Sequence, residues 1–371
     1  MKFVFSPEQD QFRNSVRLFL TEKSPTAEVR RIMDSDKGYD RAVWMQMARQ
    51  LGLQGLAIPE TYGGYGFSWV ELIIVLEEMG RALFCSPYFA TVAMASSALL
   101  AAGDDEASAR LLPGIAAGET TATVAFTEDN GRWDDGGIQL VGTPDGERWR
   151  LTGHKSFVVD GCTATLVLVA GRTGAGLSLF AVDGSAPGLR RQNLTTLDQT
   201  RKLARLEFDD TPAELIGVDG GAAGALARFR DLTAIALAAE QVGGAQRCLD
   251  MSVEYAKVRR QFGRQIGSFQ AIKHMCAEVL LEVESARSAA YYAGWVAADD
   301  SDDLGEVASL AKAYCSSTYV HAAENSIQVH GGIGFTWEHD AHLYFRRAKS
   351  SELYLGDAAY HRELLARRLQ I

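Results

Sequence analysis

Between about Gly118 and Gly224 the apolar residues of this chain recur at every second position, whereas on either side they recur at every third or fourth. That change of period restricts the fold to helices, then a block of short strands, then helices again. The β-rich runs are Thr121–Thr127, Trp149–Gly153, Ser156–Val159, Thr165–Ala170, Leu177–Val182 and Ala204–Phe208, separated by turn residues such as Asp145-Gly146 and Asp160-Gly161. Strands so short and evenly spaced predict a small antiparallel barrel or sandwich set between two helical halves. The expected organisation is therefore α+β and multidomain: a helical domain over 1–118, a β-domain over 119–224 and a second helical domain over 225–371.

Helix signals fill both flanks. Ser6-Pro7-Glu8-Gln9 opens the first helix, with serine as N-cap and proline at the first helical position, and Leu18, Phe19 and Leu20 lie on its apolar face. Further helices are predicted over Tyr39–Leu51, Trp69–Leu83, Tyr88–Ala102 and Glu106–Ala116, and a glycine-rich loop, Ile58–Gly66, precedes the second of these. In the other flank Ile235, Ala239, Val242, Ala245, Leu249, Val253 and Ala256 recur at spacings of three and four, the mark of one buried stripe. Gly263 stops that helix. Ile272, Met275, Val279, Leu280 and Val283 then begin another, which makes a helix hairpin about a polar turn.

Composition removes several function classes. A chain with 47% hydrophobic and 23% charged residues is an ordinary globular protein, and a net charge of -10 repels phosphate backbones and anionic membranes, so no nucleic-acid partner is expected. Cys85, Cys162, Cys248, Cys276 and Cys315 form no Cys-x-x-Cys pair, and their odd number fits reduced thiols in a cytoplasmic protein. No segment approaches the roughly 18 apolar residues of a membrane span. His339-x-x-His342 lacks a further ligand close by and is read as two solvated or hydrogen-bonded side chains, not a metal site.

The run Arg259-Arg260-Gln261-Phe262-Gly263, followed by a turn and Phe269-Gln270, resembles the C-terminal helical domain of the FAD-dependent acyl-CoA dehydrogenases. Pro59-Glu60-Thr61-Tyr62-Gly63-Gly64 is similar to a loop of that family's N-terminal domain, and Gln328-Val329-His330-Gly331-Gly332-Ile333-Gly334-Phe335 resembles its Gln-x-x-Gly-Gly-x-Gly-Phe loop. The resemblance implies an N-terminal helical bundle, a central β-domain and a C-terminal four-helix bundle. It also implies FAD, an acyl-CoA thioester against the flavin ring, a homo- or heterotetramer, and an electron-transfer flavoprotein as partner. Arg259 would reach the pyrophosphate of an FAD held by a neighbouring subunit, since a guanidinium forks onto phosphate oxygens; the plainer reading is a solvated arginine at a helix end. Phe262 and Gln270 would join it. Gln328, Gly331 and Gly332 would bring backbone close to the same cofactor, unless they are only a helix C-cap and its turn. In the β-domain the matching residues are Phe126, Thr127, Phe157 and Val159. The family usually has tryptophan where Phe157 stands and threonine or serine where Val159 stands, and Glu128-Asp129-Asn130-Gly131 replaces its Gly-Ser-Asp loop. Valine cannot donate a side-chain hydrogen bond.

Dehydrogenation at the α,β-bond requires a base for the α-proton, and a carboxylate in an apolar slot suits the task. By resemblance, the family's catalytic glutamate falls on Leu355, or on Thr233 in its branched-chain members; neither accepts a proton. Glu240, within Ala236–Gly244, is the one acid set in an apolar stretch of the long helix, so it is either poised for proton transfer or paired with a buried arginine. Asp357, just past Gly356, is expected to face the cofactor. Two functions follow: an FAD-dependent acyl-CoA dehydrogenase with Glu240 as displaced base, or a non-catalytic, FAD-supporting subunit paired with a catalytic paralogue.

Overall fold

The computed structural model describes residues 5–371. Helices α1 (Pro7–Lys23), α2 (Thr26–Met33), α3 (Arg41–Leu51) and α4 (Trp69–Arg81) come first. A π-helix over Phe89–Ala95 then runs into α5 (Ser96–Ala102), and α6 (Asp105–Ala116) follows. Ser6 caps α1 as expected, in a reciprocal box with Gln9. The strands are β1 (Ala122–Ala125), β2 (Val141–Asp145), β3 (Arg148–Val159), β4 (Leu166–Arg172), β5 (Leu177–Asp183), β6 (Leu189–Asn193) and β7 (Leu203–Ile216). After them come α7 (Ala223–Val258), the short strands β8 (Arg260–Gln261) and β9 (Arg264–Gln265), α8 (Gln270–Ala298), α9 (Leu304–His330), α10 (Ala341–Leu353) and α11 (Ala358–Arg368).

The β-block corrects one expectation. The sheet is mixed, because β1 lies parallel to β4, with Ala122 opposite Leu166 through Ala125 opposite Val169, and Val141 of β2 also meets Arg172 of β4 in parallel. Between β1 and β4 the chain makes a loop and the antiparallel β2–β3 hairpin, so it enters β4 in the direction of β1. The path β4-β2-β3-β7-β5 returns to β4 and so closes on itself. Inside lie Leu151, Val167, Val169, Phe180, Val182 and Leu206. Strand β3 bulges twice against β7, between Leu151 and Gly153 and between Lys155 and Val158. The second bulge turns Phe157 outward, in left-handed backbone (φ 59°).

Backbone contacts divide the chain into two compact units. One comprises Arg31–Ser68 and Cys85–Thr233, the β-sheet included; the other takes residues up to Arg30, Trp69–Phe84 and Ala234–Ile371. In the helical unit α4 and α7 approach until their backbones touch. A Cβ on Gly80 would lie 2.0 Å from the Glu240 carbonyl oxygen, and one on Gly243 would lie 1.8 Å from that of Glu77. Buried charge surrounds this crossing: Glu77 takes Arg13 (2.5 Å), Arg287 and the Tyr291 hydroxyl (2.7 Å), while Glu78 takes Arg17 at 2.7 and 2.8 Å. Gly243→Ala is therefore expected to force the helices apart and destabilise the protein by about 1–3 kcal/mol, seen as a lower denaturation midpoint in urea.

Candidate functional site

One end of the helical unit gathers most of the expected cofactor contacts. Helix α7 stops at Val258, the Arg259 N–H still donates to the Tyr255 carbonyl (2.8 Å), and its own carbonyl accepts from Ile266 N–H (2.8 Å), which closes the β8–β9 hairpin. The hairpin turn is Phe262-Gly263, both residues left-handed (φ 51° and 75°), as a two-residue turn of type I′ requires. Phe262 is 90% exposed at the tip and meets Phe269 edge-on at 6.0 Å, and the Arg264 guanidinium lies 4.0 Å from the Phe269 ring. Beneath, Ala256, Ile266 and Val329 form a small core with Tyr255, Phe269, Ile272 and Met275 packed on it. That core brings the hairpin, Gln270 at the start of α8 and Gln328 near the end of α9 to one place; all three polar side chains, Arg259 included, are exposed.

This end fits a phosphate-bearing cofactor. Among the described residues the Arg259 guanidinium has no hydrogen-bond or ion-pair partner. A Cβ built on Gly331 (φ 63°) or Gly332 would meet no atom within 4 Å, so that stretch offers bare backbone to a ligand. Asp357 is also exposed, yet its carboxylate caps α11 by accepting from Tyr360 N–H at 2.8 Å.

The β-unit fits less well. Thr127 is buried and its hydroxyl is spent on the Ser156 carbonyl (2.7 Å); Val159 is fully buried; Phe126 is enclosed by Phe229 at 5.3 Å and Trp133 at 6.0 Å. Only Phe157, 39% exposed, presents a ring. The replaced loop is locked in place. Glu128 accepts from the N–H groups of Gln139 and Leu140 and from the buried Lys155 ammonium at 2.7–2.9 Å, and Arg172 donates to the carbonyls of Asp135 and Ile138 at 2.7 Å. Burial pushes Lys155 down to about 8 against the pull of Glu128. Segment 128–135 holds four acids and one arginine, so it offers no cationic cradle for a diphosphate.

Of the two roles open to Glu240, the geometry matches the ion pair. Its carboxylate is buried and lies 2.7 Å from the Arg347 Nη1, itself buried on α10. A carboxylate held by a guanidinium has its charge stabilised and an oxygen occupied, both of which oppose proton abstraction. Thr233 is buried and donates back to the Phe229 carbonyl (2.7 Å); Leu355 is buried in a left-handed turn (φ 65°). His342 packs on Trp337 at 4.5 Å and His339 faces His330 at 4.3 Å, and no group of three or more metal-binding side chains occurs among the described residues. Sequence reasoning passed over Lys155, Glu77, Glu78 and Arg347; a lone charged residue inside an apolar run is the signal that finds such pairs, and it singled out only Glu240.

The family model for the acyl-CoA dehydrogenase N-terminal domain matches residues 6–119, and that for the C-terminal domain matches residues 220–370. The acyl-CoA dehydrogenase IpdE2 of Mycobacterium tuberculosis is 37% identical over 97% of this chain and 96% of its own length. Among solved structures, a variant of the Tcur3481-Tcur3483 steroid acyl-CoA dehydrogenase superposes with a TM-score of 0.88 at 31% identity, covering 98% of each chain. The ChsE4-ChsE5 complex of M. tuberculosis gives 0.89 at 28% identity, covering 100% of this chain and 99% of that one.

Arg347→Leu would leave the Glu240 charge buried and unpaired, and should destabilise the protein by about 3–5 kcal/mol in urea denaturation. The double variant Glu240→Leu/Arg347→Leu should recover much of that loss, because it removes the stranded charge.

Proposed function

The chain belongs to the acyl-CoA dehydrogenase family, whose members are FAD-dependent flavoproteins, and we propose that it is the FAD-supporting subunit of a heteromeric enzyme. When bound, FAD supplies the hydride acceptor for α,β-dehydrogenation of an acyl-CoA thioester. Arg259, with Phe262, Gln270, Gln328, Gly331 and Gly332, binds and orients a flavin seated in a paralogous subunit, and that paralogue contributes the base. One observation carries this reading: Leu355 and Thr233 stand where the family keeps its base, and the remaining acid, Glu240, is held by Arg347. The poorly fitting β-unit agrees with it. The assembly we favour is a heterotetramer, in keeping with the names of the two-component relatives, acting in the cytoplasm on a bulky, steroid-derived acyl-CoA and passing electrons to an electron-transfer flavoprotein. No helix among the described residues is long and apolar enough to cross a membrane.

The alternative, a self-sufficient dehydrogenase with Glu240 as base, has in its favour that Glu240 is a carboxylate in an apolar stretch; it requires Arg347 to release it. Expression of the chain alone and with its paralogue, followed by anaerobic addition of acyl-CoA, separates the two. Bleaching of the flavin's visible band is expected only in the co-expressed complex and should survive Glu240→Gln. Bleaching by the chain alone that Glu240→Gln abolishes, a loss of about 10²- to 10⁴-fold in rate, would replace this reading with the alternative. Arg259→Ala in the complex should cost about 1.5–3 kcal/mol of FAD affinity; unchanged flavin content would refute the cofactor contact.

A further inference from the structure

Between the two elements assigned to the flavin lies a stack of three rings that the proposed function does not use. His330, the residue before Gly331, is buried at the end of α9 and donates from Nδ1 to the Ser326 carbonyl at 2.6 Å. One neighbour of its ring is Tyr255 on α7, at 4.5 Å between centroids and 32° between planes; another is His339, at 4.3 Å and 48°. Tyr255 stands one helical turn before Arg259 and accepts its N–H. His339 closes the loop that starts at Gly331, and its Nδ1 accepts from Ala341 N–H at 3.1 Å.

We infer that His330 is a positioning residue: packed against the rings of Tyr255 and His339, it sets the Gly331-Gly332 backbone against Arg259 so that both meet one diphosphate. The inference rests on the cofactor contact proposed above for Arg259 and the glycine loop. The small Ala256, Ile266 and Val329 core joins the end of α7 to the end of α9, and the three rings extend that tie to the residue next to the glycine loop. The far side of the loop is held separately, by Trp337 packed on His342 and under the Arg346 guanidinium at 4.4 Å.

The arrangement requires that His330 and His339 are not both charged. Burial lowers the pKa of His330 against the hydrogen bond to the Ser326 carbonyl, and His339 beside it lowers it further; His339 is lowered by burial, by His342 and by Arg30, with Asp340 opposing. The charged and titratable groups around it are thus Tyr255 on α7, Asp340 in the loop, His342 and Arg346 on α10, and Arg30 on α2, which donates to the His339 carbonyl (3.1 Å) and pairs with Asp340 (3.0 Å). Protonation of both rings would put two cations 4.3 Å apart, with the Arg30 guanidinium as a third beside His339. Because the folded pKa values are depressed, the arrangement is intact at neutral pH and is lost as pH falls below the ordinary histidine range of about 6.5.

The test is the FAD dissociation constant of the complex with its paralogue, measured by titrating the apoprotein with FAD at neutral pH and about one to two units below the histidine range. The native complex should bind about tenfold more weakly in acid, the upper range of one aromatic contact. His330→Phe keeps a ring that cannot titrate, and should bind as the native protein does at neutral pH while losing the acid weakening. His330→Ala should be weak at both pH values with unchanged helical circular dichroism; if it does not fold, Tyr255→Leu removes the other ring packed on His330 and should weaken binding likewise. Native-like affinity in a folded His330→Ala or Tyr255→Leu, or an acid response that persists in His330→Phe, would overturn the inference. Arg259→Ala in the same titration separates this failure from that of the cofactor contact. If it weakens FAD while the stack variants do not, only the stack is excluded, whereas native affinity in all of them removes both.

Discussion

The contact of α4 with α7 at Gly80 and Gly243 governs the helical unit. With no side chain between the two backbones, the acids on either side of the crossing, Glu77, Glu78 and Glu240, are buried, and each must find a cation within the protein. Arg13, Arg17, Arg287 and Arg347 meet them from α1, α8 and α10. The crossing therefore also fixes which helices can surround α7. Arg259 lies sixteen residues past Gly243, about 24 Å along the same rod, so the direction of that rod decides where its guanidinium emerges.

Much of this was legible beforehand. Long segments with apolar residues at every third or fourth position announced α1, α3, α4 and α7, a signal that survives without neighbours, although residues 232–245 of α7 are buried on every side. Strand β6 was not visible: Leu189–Asn193 is almost wholly exposed, so it has no alternation to read, and it is a strand only because β7 offers it an edge. The parallel pairing of β1 with β4 was equally hidden, since direction depends on the path of the connection and not on any residue within the strands. The π-helix at Phe89–Ala95 read as ordinary helix because all its residues are buried and show no stripe.

The site divides in the same way. Arg259, Phe262, Gln270, Gln328 and the glycine pair stood out by resemblance to a family's motifs, and the small core of Ala256, Ile266 and Val329 joins the elements that carry them. For Glu240 the sequence offered base and ion pair side by side, and only the position of Arg347, more than a hundred residues away, distinguishes them. Likewise Val159 and Thr127 could be matched to flavin contacts by position, while the closed barrel buries the first and occupies the hydroxyl of the second. A residue's type states what it can donate; the fold states what it has already given.

Phe262 sets two demands on one residue. A type I′ turn favours asparagine, aspartate or glycine at this position, and a phenylalanine held at φ 51° with 90% of its surface in water gains little from its own chain. Phe262→Gly would relax the backbone and remove an exposed ring, so any procedure that scores the isolated chain for thermostability or solubility would choose it. The same change would erase the tip of the hairpin beside Arg259. Optimising this protein by itself would thus erode the surface proposed to serve a second subunit, and a library built for robustness should leave the hairpin untouched.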